Sequence, residues 1–365
     1  MGAASDPGRP SGDGGPAELQ GLVDAGAVGR WLAEQGVTDG PVQVVGTLGG
    51  GTQNILALLR VEGRDLVLRR GPRHLRSRTN DLLRREMQVL DALRGTDVPH
   101  PRLVAACPDE AVLGGAAFYV MDAVDGFNPA VALEGRAASS AHVRRSLAFS
   151  TAAAAAALAA VDHEAVGLAS LGRPDGFLER QVGRWRAELD SYRGLDGYAG
   201  QGLPGVDGLG RWLDAHRPKR WRPGILHGDF HLANVLCSRD TGSVIAVVDW
   251  EMTTIGDPLL DLGWLLATWP REPSSVEHVE VLPDGVRALA GTVTRDELVA
   301  EYARHSTRDL SGVDWYEALA CYKLAIVLEG TYARACAGLA PREVGERLHR
   351  GSLELLRRAR EITEA

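Results

Sequence analysis

Lysine is nearly absent from this chain. Of its 365 residues, 40 are lysine or arginine, and only Lys219 and Lys323 are lysine. Genomic base composition is the plain origin of such a bias. Its consequence is chemical: any task needing a cation before residue 219 falls to arginine or goes unfilled. Cysteine is scarce too. Cys107, Cys237, Cys321 and Cys336 show no Cys-x-x-Cys spacing, which fits reduced thiols in a cytoplasmic protein. Long apolar runs are missing. The longest, Thr151 to Val161, is alanine-rich and stops at Asp162-His163-Glu164, so it suits a core helix and is too short for a bilayer. The start of the chain has no basic segment followed by an apolar one, so no signal peptide is expected. A net charge of -8 argues against a nucleic-acid partner, and no membrane partner is expected either.

What is present supports a sizeable core, with 45% hydrophobic residues over a length suited to one large domain or two lobes. The stretch from Gly224 to Glu251 is the most informative. It reads Gly-Ile-Leu-His-Gly-Asp-Phe-His-Leu-Ala-Asn-Val-Leu, then a polar turn, then Val-Ile-Ala-Val-Val-Asp-Trp-Glu. Asp229, Asn234 and Asp249 are the polar groups in otherwise apolar surroundings. A carboxylate, an amide five residues on and a carboxylate ending the next strand form the layout of a phosphoryl-transfer site. One Asp accepts the proton of an attacking hydroxyl; the Asn and the other Asp hold magnesium on nucleotide phosphates. Magnesium keeps several waters, so one amide and one carboxylate suffice beside the phosphates. Gly242, after Asp240 and Thr241, makes a hairpin turn, and the β-branched run Val244 to Val248 reads as a buried strand. His227 and His231 lie four apart, but no helical Glu and no third ligand accompany them. His227 therefore reads as a hydrogen-bonding brace.

Residues 1 to about 18 are rich in Gly, Pro, Ser and Asp and are expected to be disordered. Helical periodicity covers Ala17 to Gln35, and strands are expected at Val42 to Val45, Ile55 to Val61 and Asp65 to Arg70. Between the first two lies Gly46-Thr-Leu-Gly-Gly-Gly-Thr-Gln-Asn54, where Gly49, Gly50, Gly51 and Thr52 let backbone amides approach phosphate closely. No Gly-x-x-x-x-Gly-Lys motif is present, which excludes a P-loop. Alternation puts Val67 and Arg69 on one face of the third strand, so Arg69 is preferred to Arg70 as the phosphate cation. A helix over Asn80 to Leu93 carries Glu86 as its ion-pair partner. A hairpin over Leu103 to Cys107 and Ala116 to Met121 leads to a connector at Met121, Asp122 and Ala123. From about residue 127 the pattern is helical, with helices at Ser140 to Val161, Gly176 to Tyr192, Arg295 to Thr307, Trp315 to Ala337 and Pro341 to Ile362. Gly194 to Gly210 reads as irregular. Asp257 before Pro258 reads as a helix cap, and Asp261 as a structural brace. Residues 173 to 222 hold ten basic and seven acidic side chains and are locally positive.

Three motifs in order, Leu-His-Gly-Asp-Phe-His-Leu-Ala-Asn at 226–234, Val-Val-Asp-Trp-Glu at 247–251 and Gly-Asp-Pro-Leu-Leu-Asp-Leu-Gly-Trp at 256–264, resemble the aminoglycoside phosphotransferase family. Leu68-Arg-Arg-Gly-Pro72, Val161-Asp162 before Gly167-Leu168, and Arg180-Gln181 with Trp185 resemble its branch fused to some acyl-CoA dehydrogenases. The resemblance implies an α+β, protein-kinase-like two-lobed fold. Its small antiparallel-sheet N-lobe would span residues 19–121 and its mostly helical C-lobe residues 122–365. It implies an ATP-dependent small-molecule kinase with Asp229 as base and Asn234 and Asp249 as magnesium ligands. Arg69 would stand at the usual phosphate-lysine position, Glu86 as its partner and Met121 to Ala123 as the adenine connector. The acceptor would be a small molecule with a hydroxyl group. An aminoglycoside, a polycation, is one such acceptor, and the local positive charge favours instead an anionic one such as a hydroxyacyl-CoA. A nucleotide-binding regulatory module is the rival reading. A protein kinase is disfavoured, because the chain lacks an Ala-Pro-Glu segment after Asp249.

Overall fold

The computed structural model describes residues 19–49, 54–198, 203–270 and 283–364. The expected disordered tail and the tip of the glycine-rich turn, with Gly50, Gly51 and Thr52, lie outside the described residues. The chain forms two compact units, one reaching Gly126 and including Ile245–Glu251, the other comprising Phe127–Val244 and the chain from Met252. The fold is protein-kinase-like, with an antiparallel sheet in the first unit and mostly helix in the second.

The first unit begins with α1 (Ala25–Glu34), followed by β1 (Val42–Thr47), β2 (Ile55–Val61) and β3 (Arg64–Arg70). After α2 (Thr79–Ala92) come β4 (Leu103–Cys107) and β5 (Phe118–Asp122). The strands pair antiparallel in the order β1-β2-β3-β5-β4. Helix α1 is shorter than its periodicity suggests. The Asp24 carboxylate accepts from the Ala27 N–H at 2.9 Å and fixes the first turn there. Leu19, Leu22 and Val23 instead enter the core as a turn. The β2–β3 hairpin closes through Glu62 and Gly63, both at positive φ (50° and 81°), the mirror-image turn that matches strand twist. Alternation then sorts β3. Leu66 and Leu68 join the core cluster with Trp31, Leu32 and Phe118. Arg70 shares their side and donates to the Leu22 carbonyl. Val67 and Arg69 face the other way, and Arg69 stands opposite Tyr119 of β5.

The second unit contains α3 (Gly135–Ser139), α4 (Ala141–Ala160), α5 (Glu179–Ser191) and α6 (Val206–Ala215). It continues with β6 (Gly224–Leu226), β7 (Val235–Cys237) and the first residue of β8 (Val244–Val247). Then follow β9 (Thr254–Gly256), α7 (Leu259–Thr268), α8 (Asp284–Arg287), α9 (Arg295–Arg304), α10 (Val313–Cys336) and α11 (Arg342–Glu364). Ser140 caps α4 as its sequence suggests, accepting from Val143 N–H. The stretch read as irregular becomes helical at α6. Val206, Leu209 and Leu213 fall on one buried face, and that burial outweighs the low helix propensity of Gly208 and Gly210. Strands β6 and β9 pair antiparallel and frame the segment between them. Among the described residues no helix is long and apolar enough to cross a membrane.

Helix α10 is the spine of this unit, packing on α7 and α11. The buried Glu317 carboxylate takes Arg358 of α11 at 2.7 Å and Arg295 of α9 at 2.6 Å. Arg358 also donates to the Leu266 and Ala267 carbonyls at 2.6 and 3.1 Å, which satisfies the open C-terminus of α7. A buried charge held on several sides in this way is costly to break. Close approach of α7 to α10 depends on Gly263, because a Cβ there would lie 2.5 Å from the Tyr316 carbonyl oxygen. Gly263→Ala should therefore force the helices apart and lower stability by about 1–3 kcal/mol in urea unfolding. An unchanged midpoint would show that this contact is not tight.

Candidate active site

The loop after β6 carries the first group of site residues. Gly228 has φ +87°, and a Cβ there would come within 2.7 Å of the Met252 carbonyl, so the turn requires glycine. The loop is pinned from α7. Asp261, in that helix's first turn, accepts from His227 N–H at 2.7 Å and Gly228 N–H at 2.9 Å. A carboxylate at a helix N-terminus is favoured by the helix dipole. Burial nevertheless pushes Asp261 up to about 7, against the pull of those two amides. Asp257 has a related duty: it accepts from Leu259 N–H at 3.2 Å and from the Tyr316 hydroxyl. His227 is fully buried, and its Nδ1 accepts from Asp229 N–H at 3.3 Å, so it braces the loop as read from the sequence.

Asp229 and Asn234 are brought together. Asn234 Nδ2 donates to the Asp229 carbonyl at 2.9 Å and to its Oδ2 at 3.0 Å. The amide is thereby oriented, and its Oδ1 has no protein partner among the described residues. Asp229 Oδ1 is likewise open among them. His231, whose role here the sequence reading missed, completes the group. Its Nδ1 accepts from Ala233 N–H at 3.2 Å, which assigns the proton to Nε2, 3.4 Å from Asp229 Oδ2. Burial raises the Asp229 pKa, but the His231 hydrogen bond, His231 and His227 when protonated, and the Lys323 ammonium outweigh it. The carboxyl is held well below the usual range and is ionised at neutral pH.

Lys323 was a second omission. From α10 its ammonium donates to the Gly228 carbonyl at 2.9 Å. The peptide unit around Gly228 is thus gripped at its N–H by Asp261 and at its C=O by Lys323. The only signal available in the sequence was rarity, since a buried role for one of two lysines has no spacing to announce it.

The first unit holds the second group. Arg69 Nε lies 2.9 Å from Glu86 Oε2, close but not aligned as a hydrogen bond, while Nη2 donates to Oε1 at 3.3 Å. Nη2 also donates to Asp249 Oδ1 at 2.7 Å and lies 3.9 Å from Glu251 Oε2. Tyr119 hydroxyl donates to Glu86 Oε2 at 2.8 Å. Burial would lower the Arg69 pKa, but Glu86, Tyr119 and Asp249 overcome it and hold it above its ordinary value. Burial pushes Glu86 up to about 7 against the pull of Arg69 and Tyr119. Asp249 sits at φ 67°, a left-handed conformation that is strained for a non-glycine residue and is a mark of functional positions. Its side chain is 38% exposed, and Oδ2 is left open among the described residues.

The connector is more engaged than expected. Asp122 N–H donates to the Arg102 carbonyl at 3.0 Å and Ala123 N–H to the Asp65 carbonyl at 3.3 Å. The Asp122 carboxylate takes Arg64 and Arg102. Two N–H groups near the end of β5, beside Met121, are therefore used within the unit. Gly49 lies at the described edge of the glycine-rich turn.

The donor set fits magnesium. No group of three or more His, Cys, Asp or Glu able to hold a metal occurs among the described residues, which argues against an all-protein cage. Taken by themselves, Asn234 Oδ1 in the second unit and Asp249 Oδ2 in the first are oxygen donors of the kind magnesium takes.

Comparison with known proteins follows this geometry. A profile described as the phosphotransferase enzyme family matches residues 44–316. The mouse acyl-CoA dehydrogenase family member 10 is 27% identical over 293 residues, covering 80% of this chain and 26% of that protein. The chicken acyl-CoA dehydrogenase family member 11 is 29% identical, covering 88% and 41%. The chain thus spans about a quarter to two fifths of these relatives. A crystal structure described as a candidate aminoglycoside phosphotransferase from Ralstonia eutropha is 27% identical with TM-score 0.75, covering 93% of this chain and 98% of that one. An aminoglycoside 2''-phosphotransferase solved with GDP and kanamycin shares the fold at 20% identity and TM-score 0.53, covering 93% and 99%.

Arg69 ties together two carboxylates of the first unit, which gives a direct test. Arg69→Met should destabilise by about 3–5 kcal/mol, because Glu86 is left buried and unpaired. Arg69→Met with Glu86→Gln should lose clearly less. Equal losses in urea unfolding of the single and double variants would contradict an ion-pair origin.

Proposed function

The chain belongs to the phosphotransferase enzyme family, and from that premise we propose that it is a small-molecule kinase dependent on ATP and magnesium. Its acceptor is a hydroxyl group, and we favour an anionic acceptor such as a hydroxyacyl-CoA. The observation that carries this reading is the setting of Asp229: oriented by Asn234 and His231, and with Oδ1 open among the described residues.

Asp229 Oδ1 accepts the hydroxyl proton as that oxygen attacks the γ-phosphate. Phosphoryl transfer through a loose transition state needs positioning and charge stabilisation more than a strong base. A low carboxylate pKa is therefore no obstacle, since the proton is lost late. Asn234 plays two parts: Nδ2 holds the base while Oδ1 is offered to the metal. Magnesium, held by Asn234 and Asp249, would offset charge on the phosphate oxygens. Arg69 orients the α- and β-phosphates where a lysine is usual. Its fork is kept in place by Glu86, so the exchange retains a fixed charge with bidentate reach. Gly49 and the rest of the glycine-rich turn would border the phosphates, and the backbone around Met121, Asp122 and Ala123 would border the adenine.

The acceptor preference rests on the positive segment over residues 173–222 and on relatives of acyl-CoA dehydrogenase type. An aminoglycoside acceptor is the second reading, supported by the kanamycin-bound neighbour. A regulatory module without transfer activity would leave the open oxygens of Asp229, Asn234 and Asp249 without purpose.

Asp229→Ala should lower turnover by about 10²–10⁴-fold while nucleotide affinity stays near that of the parent. Undiminished turnover would remove Asp229 from the chemistry. With the parent protein, ATP and magnesium, hydroxyacyl-CoA esters should be phosphorylated in preference to kanamycin. Efficient phosphorylation of kanamycin alone would reverse the acceptor assignment.

A further inference from the structure

Within the second unit, α5, α7 and α10 border an open cleft whose lining reaches Gly228 in the loop that carries Asp229. Its walls are largely aromatic and apolar, including Phe177, Trp185, Met252 and Trp264. Two cations, Arg184 and Lys323, stand among them.

Arg184 is not consumed by the fold, and Lys323 is consumed only in part. Among the described residues Arg184 makes no ion pair, and it lies over the Trp185 ring with its guanidinium carbon 5.2 Å from the centroid. Lys323 Nζ is 4.1 Å from the Trp264 ring centroid and 5.4 Å from that of Trp185. Its single protein acceptor among the described residues is Gly228 O, so two of its three N–H donors remain for a ligand. Asp261 also borders the cleft, but its two oxygens already accept the amides of His227 and Gly228. The cleft therefore has a surplus of donors and positive charge inside an apolar wall. Burying donors without acceptors costs free energy, and a ligand that supplies acceptor oxygens relieves that cost.

We propose that Lys323, with Arg184, is the acceptor-specificity element: together they bind a negatively charged oxygen group whose short hydrocarbon chain packs on the aromatic walls. The proposal rests on the kinase reading of Asp229 and adds to it the subsite and the residues that select the acceptor. A short-chain hydroxy acid meets both demands, with its carboxylate on Lys323 and its chain against Phe177 and Met252; a thioester has no carboxylate to offer, so this subsite narrows the anionic acceptor to the free hydroxy acid. A polycationic acceptor would bring ammonium groups against two cations and is disfavoured by like charge. Burial brings the Lys323 ammonium down to about 8, against the opposing pull of Asp229 and Asp261, so it is still mostly charged at neutral pH.

The test is direct binding without nucleotide, read by intrinsic tryptophan fluorescence, because two indoles line the cleft. The probes are 3-hydroxyhexanoate and its neutral counterpart 1,3-hexanediol. The parent protein should bind the acid saturably and the diol at least about tenfold more weakly, the scale of a charge-assisted hydrogen bond. Lys323→Met should abolish the preference, so that acid and diol bind alike in that variant, while Lys323→Arg should keep it. Arg184→Met, at an exposed position, should weaken the acid with no effect on folding. Equal affinity for acid and diol, no saturable acid binding by the parent, or an undiminished preference in Lys323→Met would overturn the proposal. Saturable acid binding without phosphate transfer from ATP and magnesium would instead count against the kinase reading and leave the subsite standing.

Discussion

The acceptance of two adjacent backbone amides by the Asp261 carboxylate is the constraint on which the helical unit's chemistry depends. A loop that leaves a short strand and turns at positive φ has no ladder to hold it. Asp261 supplies the missing acceptors from the start of α7, and Lys323 holds the same peptide from α10. Once that peptide is fixed, Asp229 follows in sequence, Asn234 can reach back to both its carbonyl and its carboxylate, and His231 closes the set. The ion network of Glu317, Arg358 and Arg295 serves this end at a distance, because it fixes α7 and α10, the two helices that hold the loop.

The sheet unit solves a different problem, the absence of lysine. A lysine would bring a compact ammonium with three rotating donors and no fixed plane. Arg69 spreads its charge over a planar fork, and here the fork touches Glu86 on one side and Asp249 on the other. Tyr119 takes up part of the Glu86 charge through a hydrogen bond. Arg69 therefore has a partner set that makes use of its long, forked side chain. The left-handed backbone of Asp249 belongs to the same arrangement, since strain of that kind persists where surrounding contacts over-determine it.

The family match and the likeness to acyl-CoA dehydrogenase relatives agree with the order of motifs in the chain. Family membership leaves the acceptor open, and the cleft beside Lys323 is the proposed place of its selection. Its aromatic walls and two cations have a chemical character that suits a short anionic chain better than a sugar bearing many ammonium groups.

The sequence by itself determined the elements and the family. Strands β2 and β4 lie where β-branched and apolar runs put them, α4 starts at its Ser140 cap, and the choice of Arg69 over Arg70 followed from strict alternation along a strand. These features are local, set by a period of two or 3.6 residues or by a capping side chain, so adjacent residues suffice to specify them. Helix α6 was missed because burial of one face, a property of its neighbours, overrode glycine content. Only the tertiary structure decided that Lys323, ninety-five residues from Gly228, grips its carbonyl, that His231 serves Asp229, and that the amides of Asp122 and Ala123 are already engaged. Such pairings depend on how packed helices and sheet edges bring distant positions together, and no periodicity along the chain encodes that distance.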